Sequence, residues 1–351
     1  EAAERSERVA ELLNEANRLL RKGQDFAAVD AKRVAALALF DQRENAKAEE
    51  LWREVLSDSK ALDANYTSAT QPLEHASVVD PSRGDVRAEL AKVLHLRAQL
   101  ADRFYNIERR NELLSRLELY DTIGEYIKQW RAPADLTFQI TPSNAVMTIA
   151  TISSNDGRRI EGPAAPFDRS ASLPPGSYMF TVKAPGYSPV RYPMVLQASE
   201  KLTVPITLVP ADKVPADFVV IPAGRFMVGA LDEAQRTSFL FTVPLHVVRT
   251  DTFMIAKHET TFGEWIEFLR SRSMVERKRL RPHTDGVNTE SGWLDLSPTA
   301  TGWLLRTKPV RHEYVATAGQ PLQYLARKFN QAHDWSQLPV TGVSMDDVVE
   351  Y

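Results

Sequence analysis

Residues 218–229 read FVVIPAGRFMVG, and this stretch decides how the last third of the chain is read. An apolar run at residues 218–221 predicts a strand, the Pro-Ala-Gly after it predicts a turn, and residues 226–228 predict the returning strand. Two later stretches extend the pattern, residues 253–261 (FMIAKHETT) and residues 339–351 (PVTGVSMDDVVEY). The three blocks together predict a domain in which short strands alternate with helices.

Two capping boxes place helix starts in this domain. Thr261 stands three residues before Glu264, and Ser344 stands three residues before Asp347, so each pair can satisfy backbone N–H groups reciprocally. The helix that Ser344 begins runs for about two turns to Tyr351, and so short a helix is marginal unless more of a domain packs on it. We therefore expect the domain to continue beyond this residue.

Helix breakers divide the chain unevenly. Only two of the 21 prolines and three of the 15 glycines precede residue 133. A length of 351 residues suits two or three domains, and 43% hydrophobic and 25% charged residues are ordinary for a globular protein with buried cores. We predict a multidomain chain with an all-α, repeat-like region at residues 1–132, a small β-sandwich at residues 134–209 and a mixed α/β domain at residues 217–351.

The N-terminal region carries apolar side chains at helical spacing. The first stripe predicts an amphipathic helix that ends at Gly23, and a second helix is predicted to start near Asp25. A later helix is expected to break or kink near Pro72, and a long helical stretch is expected from Val86 to about Trp130. The members of the first stripe are Val9, Leu12, Leu13, Ala16, Leu19 and Leu20.

Residues 75–91, HASVVDPSRGDVRAELA, loosely resemble the junction between two tetratricopeptide-type repeats. The clean period of about 34 residues that such repeats show is missing, so a generic helical bundle remains an equal alternative. Either architecture implies a spacer or a protein-docking scaffold.

The middle region has the alternation of half-buried strands. Residues 134–152, ADLTFQITPSNAVMTIATI, alternate apolar and polar side chains, and residues 155–157, NDG, predict a hairpin turn. Residues 173–178 (LPPGSY) and 184–187 (APGY), followed by a last alternating strand, resemble the PEGA domain, although Pro175 stands where that family usually has Glu. The resemblance implies a small β-sandwich of bacterial surface and envelope proteins that acts as a spacer or binding module.

The three blocks of the C-terminal domain occur in the order found in the formylglycine-generating enzyme (sulfatase-modifying factor) family, and they resemble the front part of that family's domain. Four positions depart from the family pattern: Ala223 replaces a glycine, Val228 a methionine, Thr260 a valine and Met345 a tryptophan. The resemblance implies a C-type-lectin-like fold of mixed α/β structure.

Enzymatic members of this family oxidise a sulfatase cysteine to formylglycine with a cysteine pair that resembles a copper site. The chain contains no cysteine, so we predict no cofactor in it, and the resemblance implies copper or iron only together with a segment beyond Tyr351.

Other members of the family accompany bacterial Ser/Thr kinases, and the succession of three regions resembles the part downstream of such a kinase domain. The chain has no glycine-rich phosphate loop, His-Arg-Asp or Asp-Phe-Gly motif of its own.

Candidate site residues fall into three groups. A long stretch with few helix or strand signals carries five aromatic residues, either anchors for a ligand or partner or the core of an irregular fold: Trp293, Trp303, Tyr314, Tyr324 and Trp335. His258 and Glu259 form a polar pair that suits acid–base chemistry or a structural junction. An exposed basic loop suits an anionic contact, a protease site or a solvated helix end, and it contains Arg277, Lys278, Arg279 and Arg281. No histidine spacing indicates a metal site.

The net charge and the lengths of the apolar runs argue against two classes of protein, nucleic-acid binders and membrane-spanning chains. A net charge of −3 argues against a dedicated nucleic-acid binder, and no apolar run approaches the ~20 residues of a membrane span, although a span upstream of this chain stays open. We expect a non-catalytic, ligand- or protein-binding portion of a larger bacterial protein, linked to a kinase. Its partner would be another protein or its own C-terminal segment.

Two alternatives remain beside this expectation. In the first, the chain is the front part of a formylglycine-generating or related metal-dependent oxidase, whose catalytic residues lie beyond residue 351. In the second, it is a protease substrate cleaved near its end. The PEGA-like module favours the cell envelope or an extracytoplasmic location, with the cytoplasm as the alternative.

Overall fold

The computed structural model describes residues 2–22, 25–240, 242–284, 292–324 and 327–351, with only the backbone described at Phe239. The chain divides into two compact units, of which the first comprises Glu1–Lys213 with Val220–Phe253 and the second Val214–Val219 with Met254–Tyr351. A helical N-terminal region precedes a sheet-rich, mixed region, so the predicted succession is confirmed at this level. Among the described residues, no helix is both long enough and apolar enough to cross a membrane.

Six helices open the first unit: α1 (Ala2–Leu20), α2 (Phe26–Asp41), α3 (Asn45–Val79), α4 (Gly84–Arg103), α5 (Ile107–Tyr120) and α6 (Glu125–Arg131). Gly23, where the first helix was expected to end, lies outside the described residues. Asp25 begins α2 as predicted, because its side chain accepts the backbone N–H of Ala28 at 2.8 Å. Helix α3 continues through Pro72 rather than breaking there, since Pro72 and Leu73 are buried and tertiary packing outweighs local propensity.

The helical stretch predicted from Val86 to Trp130 is divided into α4, α5 and α6. Asn106 caps α5 by accepting the backbone N–H of Arg109 at 3.1 Å. Asp121 accepts two N–H groups from the first turn of α6 at 3.0 and 2.8 Å. Short polar side chains of this kind favour helix ends over helix interiors, which explains the two breaks.

Neighbouring helices pack in pairs around one main core. Helix α3 contacts α1, α2 and α4, and α4 contacts α5. Burying each large apolar side chain contributes about 1.5–3 kcal/mol to folding. The fully or nearly fully buried members of this core include Leu62, Tyr66, Leu73, Leu90, Leu94, Leu113 and Leu117.

Eight strands follow in the first unit: β1 (Ala134–Thr141), β2 (Val146–Asn155), β3 (Arg158–Glu161), β4 (Ala165–Pro166), β5 (Ser170–Leu173), β6 (Gly176–Lys183), β7 (Val190–Leu196) and β8 (Lys201–Thr207). One sheet has the order β5-β1-β8 and the other β3-β2-β6-β7, with β4 pairing β2. Phe138 of the first sheet lies 4.8 Å from Phe180 of the second, measured between ring centroids, so the apolar faces meet. The predicted hairpin turn is present, because Asp156 and Gly157 adopt φ 48° and 74° between β2 and β3.

The strands predicted around the Pro-Ala-Gly turn are also present. The chain forms β9 (Phe218–Ile221), β10 (Gly224–Val228), the short helix α7 (Glu233–Gln235), β11 (His246–Thr250) and β12 (Phe253–Ala256). Strands β10 and β11 pair antiparallel. Within the first unit, Arg225 of β10 forms an ion pair with Glu200 at 2.6 Å, and Arg236 forms one with Glu49 of α3 at the same distance. Residues 220–253 are therefore fixed to both the helices and the sheets of this unit.

The second unit contains helices α8 (Phe262–Arg270), α9 (Met274–Leu280) and α10 (Met345–Glu350) and strands β13 (His283–Thr284), β14 (Trp293–Thr299), β15 (Gly302–Lys308), β16 (Tyr314–Thr317), β17 (Leu322–Gln323) and β18 (Ala332–His333). Both predicted capping boxes are present, at Thr261 and at Ser344. The stretch expected to be irregular instead forms an antiparallel sheet, β13-β14-β15-β16. Its core packs against α8 and includes Trp265, Leu269, Leu296, Trp303, Leu305 and Trp335.

Candidate functional site

The register of β14 and β15 decides which aromatic side chains face solvent. Leu296 stands opposite Leu305, and both are buried. Because side chains alternate between the two faces of a strand, the core face takes the even-numbered residues of β14 and the odd-numbered residues of β15. Trp303 follows this rule, whereas Trp293 has the opposite parity and lies on the outer face of the sheet.

Four of the five aromatic candidates belong to the core. Trp303 and Trp335 are 5% and 2% exposed, and the indole N–H of Trp335 donates to the carbonyl oxygen of Thr317 at 3.2 Å. Tyr314 and Tyr324 are half-buried against the same cluster, with their ring centroids 4.8 Å apart. Of the two roles considered for these residues, their placement favours packing.

Trp293 is surrounded differently. Its half-buried ring lies 5.5 Å below the guanidinium carbon of Arg306, a cation–π arrangement. Arg306 is held in place by Glu313, which accepts from its Nε and Nη2 at 3.1 and 2.8 Å. Lys308 stands directly opposite Trp293 in the register of the two strands. The outer face therefore presents one indole flanked by two basic side chains.

Asp295 continues this outer face, because it has the same parity as Trp293. It accepts hydrogen bonds from Arg281 and from the hydroxyl of Ser297. Arg281 is thus the one predicted basic residue that the structure brings to the face of Trp293. The contributions of Arg306 and Lys308 were not predicted, and the available signal was their spacing of two residues, which places both on one face of a strand.

The expected basic loop is a helix. Arg277, Lys278 and Arg279 lie in the last turn of α9, which a capping box at Ser273 begins and whose C-terminal end favours positive charge. Arg279 donates to both carboxylate oxygens of Glu350 at 2.7 and 2.6 Å, and these hydrogen bonds raise its pKa. Lys278 forms no ion pair with a residue that the structure describes.

The side chain of Arg277 binds backbone carbonyl groups at the C-terminal end of α8. Its Nε donates to the carbonyl oxygens of Leu269 and Arg272, at 2.9 Å each, and its Nη2 donates to that of Arg270 at 2.7 Å. Carbonyl groups in the last turn of a helix lack the i+4 partner of the helix interior, and that of Leu269 otherwise accepts only the backbone N–H groups of the turn that follows. The side chain of Arg277 therefore serves as a C-terminal cap.

His258 and Glu259 lie side by side in the connection between β12 and α8, and both are exposed. Neither side chain forms a hydrogen bond or ion pair with a described residue. Across the described ranges, no three side chains of the His, Asp or Glu type converge as metal ligands would. The chain also lacks cysteine, so these residues do not fit the copper site that the family resemblance implies.

The comparisons with known proteins bear on the second half of the chain. No curated protein and no solved structure gave a match. One protein family does match, FGE-sulfatase, described as the Sulfatase-modifying factor enzyme 1-like domain, and the match covers residues 206–351. The resemblance inferred from the three sequence blocks is thereby confirmed, and residues 206–351 carry a domain similar to those of this family.

Proposed function

We propose that this chain is the non-catalytic, ligand- or protein-binding portion of a larger bacterial protein, and that the outer sheet face around Trp293 is its binding surface. The position of Trp293 carries the proposal, because this indole lies on an outer face while the other four aromatic candidates pack in the core. Tryptophan and arginine dominate the energetics of binding interfaces. Lys308 and Arg306, the latter paired with Glu313, place two cationic side chains beside the ring.

The proposal assigns a presenting role to the regions upstream. The helical region, tetratricopeptide-like or a bundle, and the PEGA-like β-sandwich would act as spacers for a domain of C-type-lectin-like fold. The motifs at residues 173–178 and 184–187 support the PEGA assignment. A link to a Ser/Thr kinase and an extracytoplasmic location belong to the same proposal, as does a partner that is a protein or the chain's own C-terminal segment.

Affinity capture with matched variants tests the binding surface. Wild-type protein, Trp293→Ala and Phe329→Ala would be immobilised and exposed to proteins and glycans of the host cell. Phe329 is the matched control, because it is an aromatic residue that is 83% exposed and lies outside the sheet face. We expect one species to bind the wild type and the control, and to lose roughly 30-fold in affinity on Trp293→Ala, as at an interface hot spot. Equal binding by Trp293→Ala would contradict the proposal.

The family match favours a second candidate function. In that reading the chain is the front part of a formylglycine-generating or related metal-dependent oxidase. The complete gene product, supplied with copper or iron, would then convert the cysteine of a sulfatase peptide to formylglycine, which mass spectrometry detects. Conversion that a chelator abolishes would establish the enzyme, and no conversion with either metal would exclude this activity.

A further inference from the structure

A small cavity opens within the first unit, between α2, α3, the turn after α4 and the segment that follows β10. Its volume is about 70 Å³. Trp52, Leu56 and Phe104 form an apolar wall, and Arg33 and Arg103 contribute the cationic side chains. The cavity shares no residue with the sheet face of Trp293.

Arg33 and Arg103 share one carboxylate. The Nε of Arg33 donates to Oδ1 of Asp30 at 2.8 Å, and the Nε of Arg103 lies 3.3 Å from the same oxygen. Arg33 is only 9% exposed, yet its two Nη groups donate no hydrogen bond to any residue that the structure describes. Neither Nη group is sealed from solvent, so both are free to donate to an anion that enters the cavity.

Glu233, the carboxylate that lines this cavity, already has partners. Its Oε2 accepts from Nε of Arg236 at 2.9 Å and from the indole of Trp52 at 3.3 Å, and its Oε1 accepts from Nη2 of Arg236 at 2.6 Å. Burial opposes the ionisation of Glu233, but these hydrogen bonds outweigh it and leave the pKa of the carboxyl below its ordinary value. Glu233 is therefore ionised and engaged by Arg236.

Tyr105 adds a neutral donor beside the two arginines. Its backbone adopts φ 55°, a region that bulky residues rarely occupy. Burial raises the pKa of Tyr105, although the charges of Arg33 and Arg103 oppose the shift. The hydroxyl stays protonated, and it forms no hydrogen bond with a described residue.

We propose that this cavity binds a small organic carboxylate with a short apolar chain. The planar fork of Arg33 matches the two oxygens of a carboxylate, and Arg103 and Tyr105 lie beside it. The apolar wall suits the hydrocarbon end of such an acid. Because one water needs roughly 10–15 Å³ of such a volume, the cavity has room for about five heavy atoms of a ligand.

Titration of the 351-residue chain with propionate at constant ionic strength tests the proposal, with propionamide and inorganic phosphate as comparison ligands. We expect saturable binding of propionate and weaker binding of both others. Arg33→Gln should weaken propionate binding roughly tenfold. Arg109→Gln is the matched control, because Arg109 forms only an exposed ion pair with Glu112, and it should leave the affinity unchanged.

Leu56→Trp provides a second variant that leaves every charged group of the cavity in place and fills its volume. We expect this variant to keep the melting temperature of the wild type and to lose propionate binding. Leu56→Trp therefore tests whether propionate occupies the cavity even if Arg33→Gln does not fold. The proposal is overturned by the absence of saturable propionate binding, by unchanged binding to Leu56→Trp, or by phosphate binding as tightly as propionate.

Discussion

Arg236 and Glu49 form a two-point ion pair although 187 positions separate them in the chain. The Nη1–Oε1 distance is 2.6 Å and the Nη2–Oε2 distance is 2.7 Å. Arg236 is 1% exposed and also donates to both oxygens of Glu233. Hydrogen bonds from the guanidinium, first to Glu49 and then to Glu233, raise the pKa of Arg236 further above its ordinary value. Inside the first unit, this pair joins the segment after β10 to helix α3.

Replacing Arg236 by Gln should destabilise the first unit strongly. The cost should be about 2–3 kcal/mol in the free energy of unfolding, below the ~3–5 kcal/mol of a fully buried pair, because Glu49 and Glu233 are each 40% exposed and water compensates their charges in part. Glu49→Gln should cost less, since Glu233 still neutralises Arg236. Urea unfolding of the two single variants and of the double variant measures the coupling, and additive effects would contradict a direct interaction.

A side chain at position 224 is predicted to clash with a buried tyrosine. A Cβ atom at this position would lie 2.6 Å from the hydroxyl oxygen of Tyr192, which is buried. Gly224→Ala should therefore cost about 1–3 kcal/mol in the free energy of unfolding, and the added change Tyr192→Phe should restore part of it. Gly84→Ala is the control, because no atom lies within 4 Å of its added Cβ, and it should be neutral or slightly stabilising.

The docking of α6 on α4 should weaken in mild acid. The indole N–H of Trp130 donates to Nδ1 of His95 at 3.0 Å, so His95 is neutral in the folded state, and its burial, opposed by the charge of Asp121, lowers its pKa. A lowered folded pKa gives stability that is present above the unfolded value of 6.5 and is lost as pH falls toward the folded value.

Unfolding measured at about pH 7.5 and about pH 5.5 checks this expectation, and His95→Gln should remove up to about 1 kcal/mol of the pH dependence. His75→Gln is the matched control, because His75 is an exposed histidine on α3. A pH dependence that His95→Gln leaves unchanged would show that other groups cause it.

Arg277 should protect the end of α8 from proteolysis. Arg277→Gln removes its three bonds to backbone carbonyl groups and should cost about 1–2 kcal/mol, so trypsin should cut the α8–α9 connection faster. Lys278→Gln should leave both the free energy of unfolding and the cleavage rate within the connection nearly unchanged. Equal cleavage of the α8–α9 connection in both variants would contradict the capping role.

Features that depend on neighbouring residues were predicted well. The cap at Asp25, the capping boxes at Thr261 and Ser344, and the hairpin turn before β3 each involve residues only one to three positions apart. Their geometry is determined by local hydrogen bonding and sterics, which a sequence shows directly. The breaks between α4 and α6 were missed, although they could have been predicted from the same local signals, since Asn106 and Asp121 are short polar cap residues.

The candidate site was predicted less completely. Trp293 and Trp303 look equivalent in the sequence, and only the pairing of β14 with β15 places the first outside and the second in the core. Strand pairing is a long-range choice, and a shift of one residue would exchange the two faces. For the same reason, Arg306 and Lys308 could not be assigned to the face of Trp293 from their spacing alone.

The succession of a helical and a sheet-rich region, the local caps and turns, and the likeness of residues 206–351 to the sulfatase-modifying factor enzyme 1-like domain all follow from the amino-acid sequence. The pairing of Arg236 with Glu49, the sharing of Asp30 by Arg33 and Arg103, and the face that Trp293 occupies are visible only in the folded chain. The physical reason is the range of the interactions: caps and turns form between near neighbours, whereas buried ion pairs and sheet faces depend on where folding brings distant segments together.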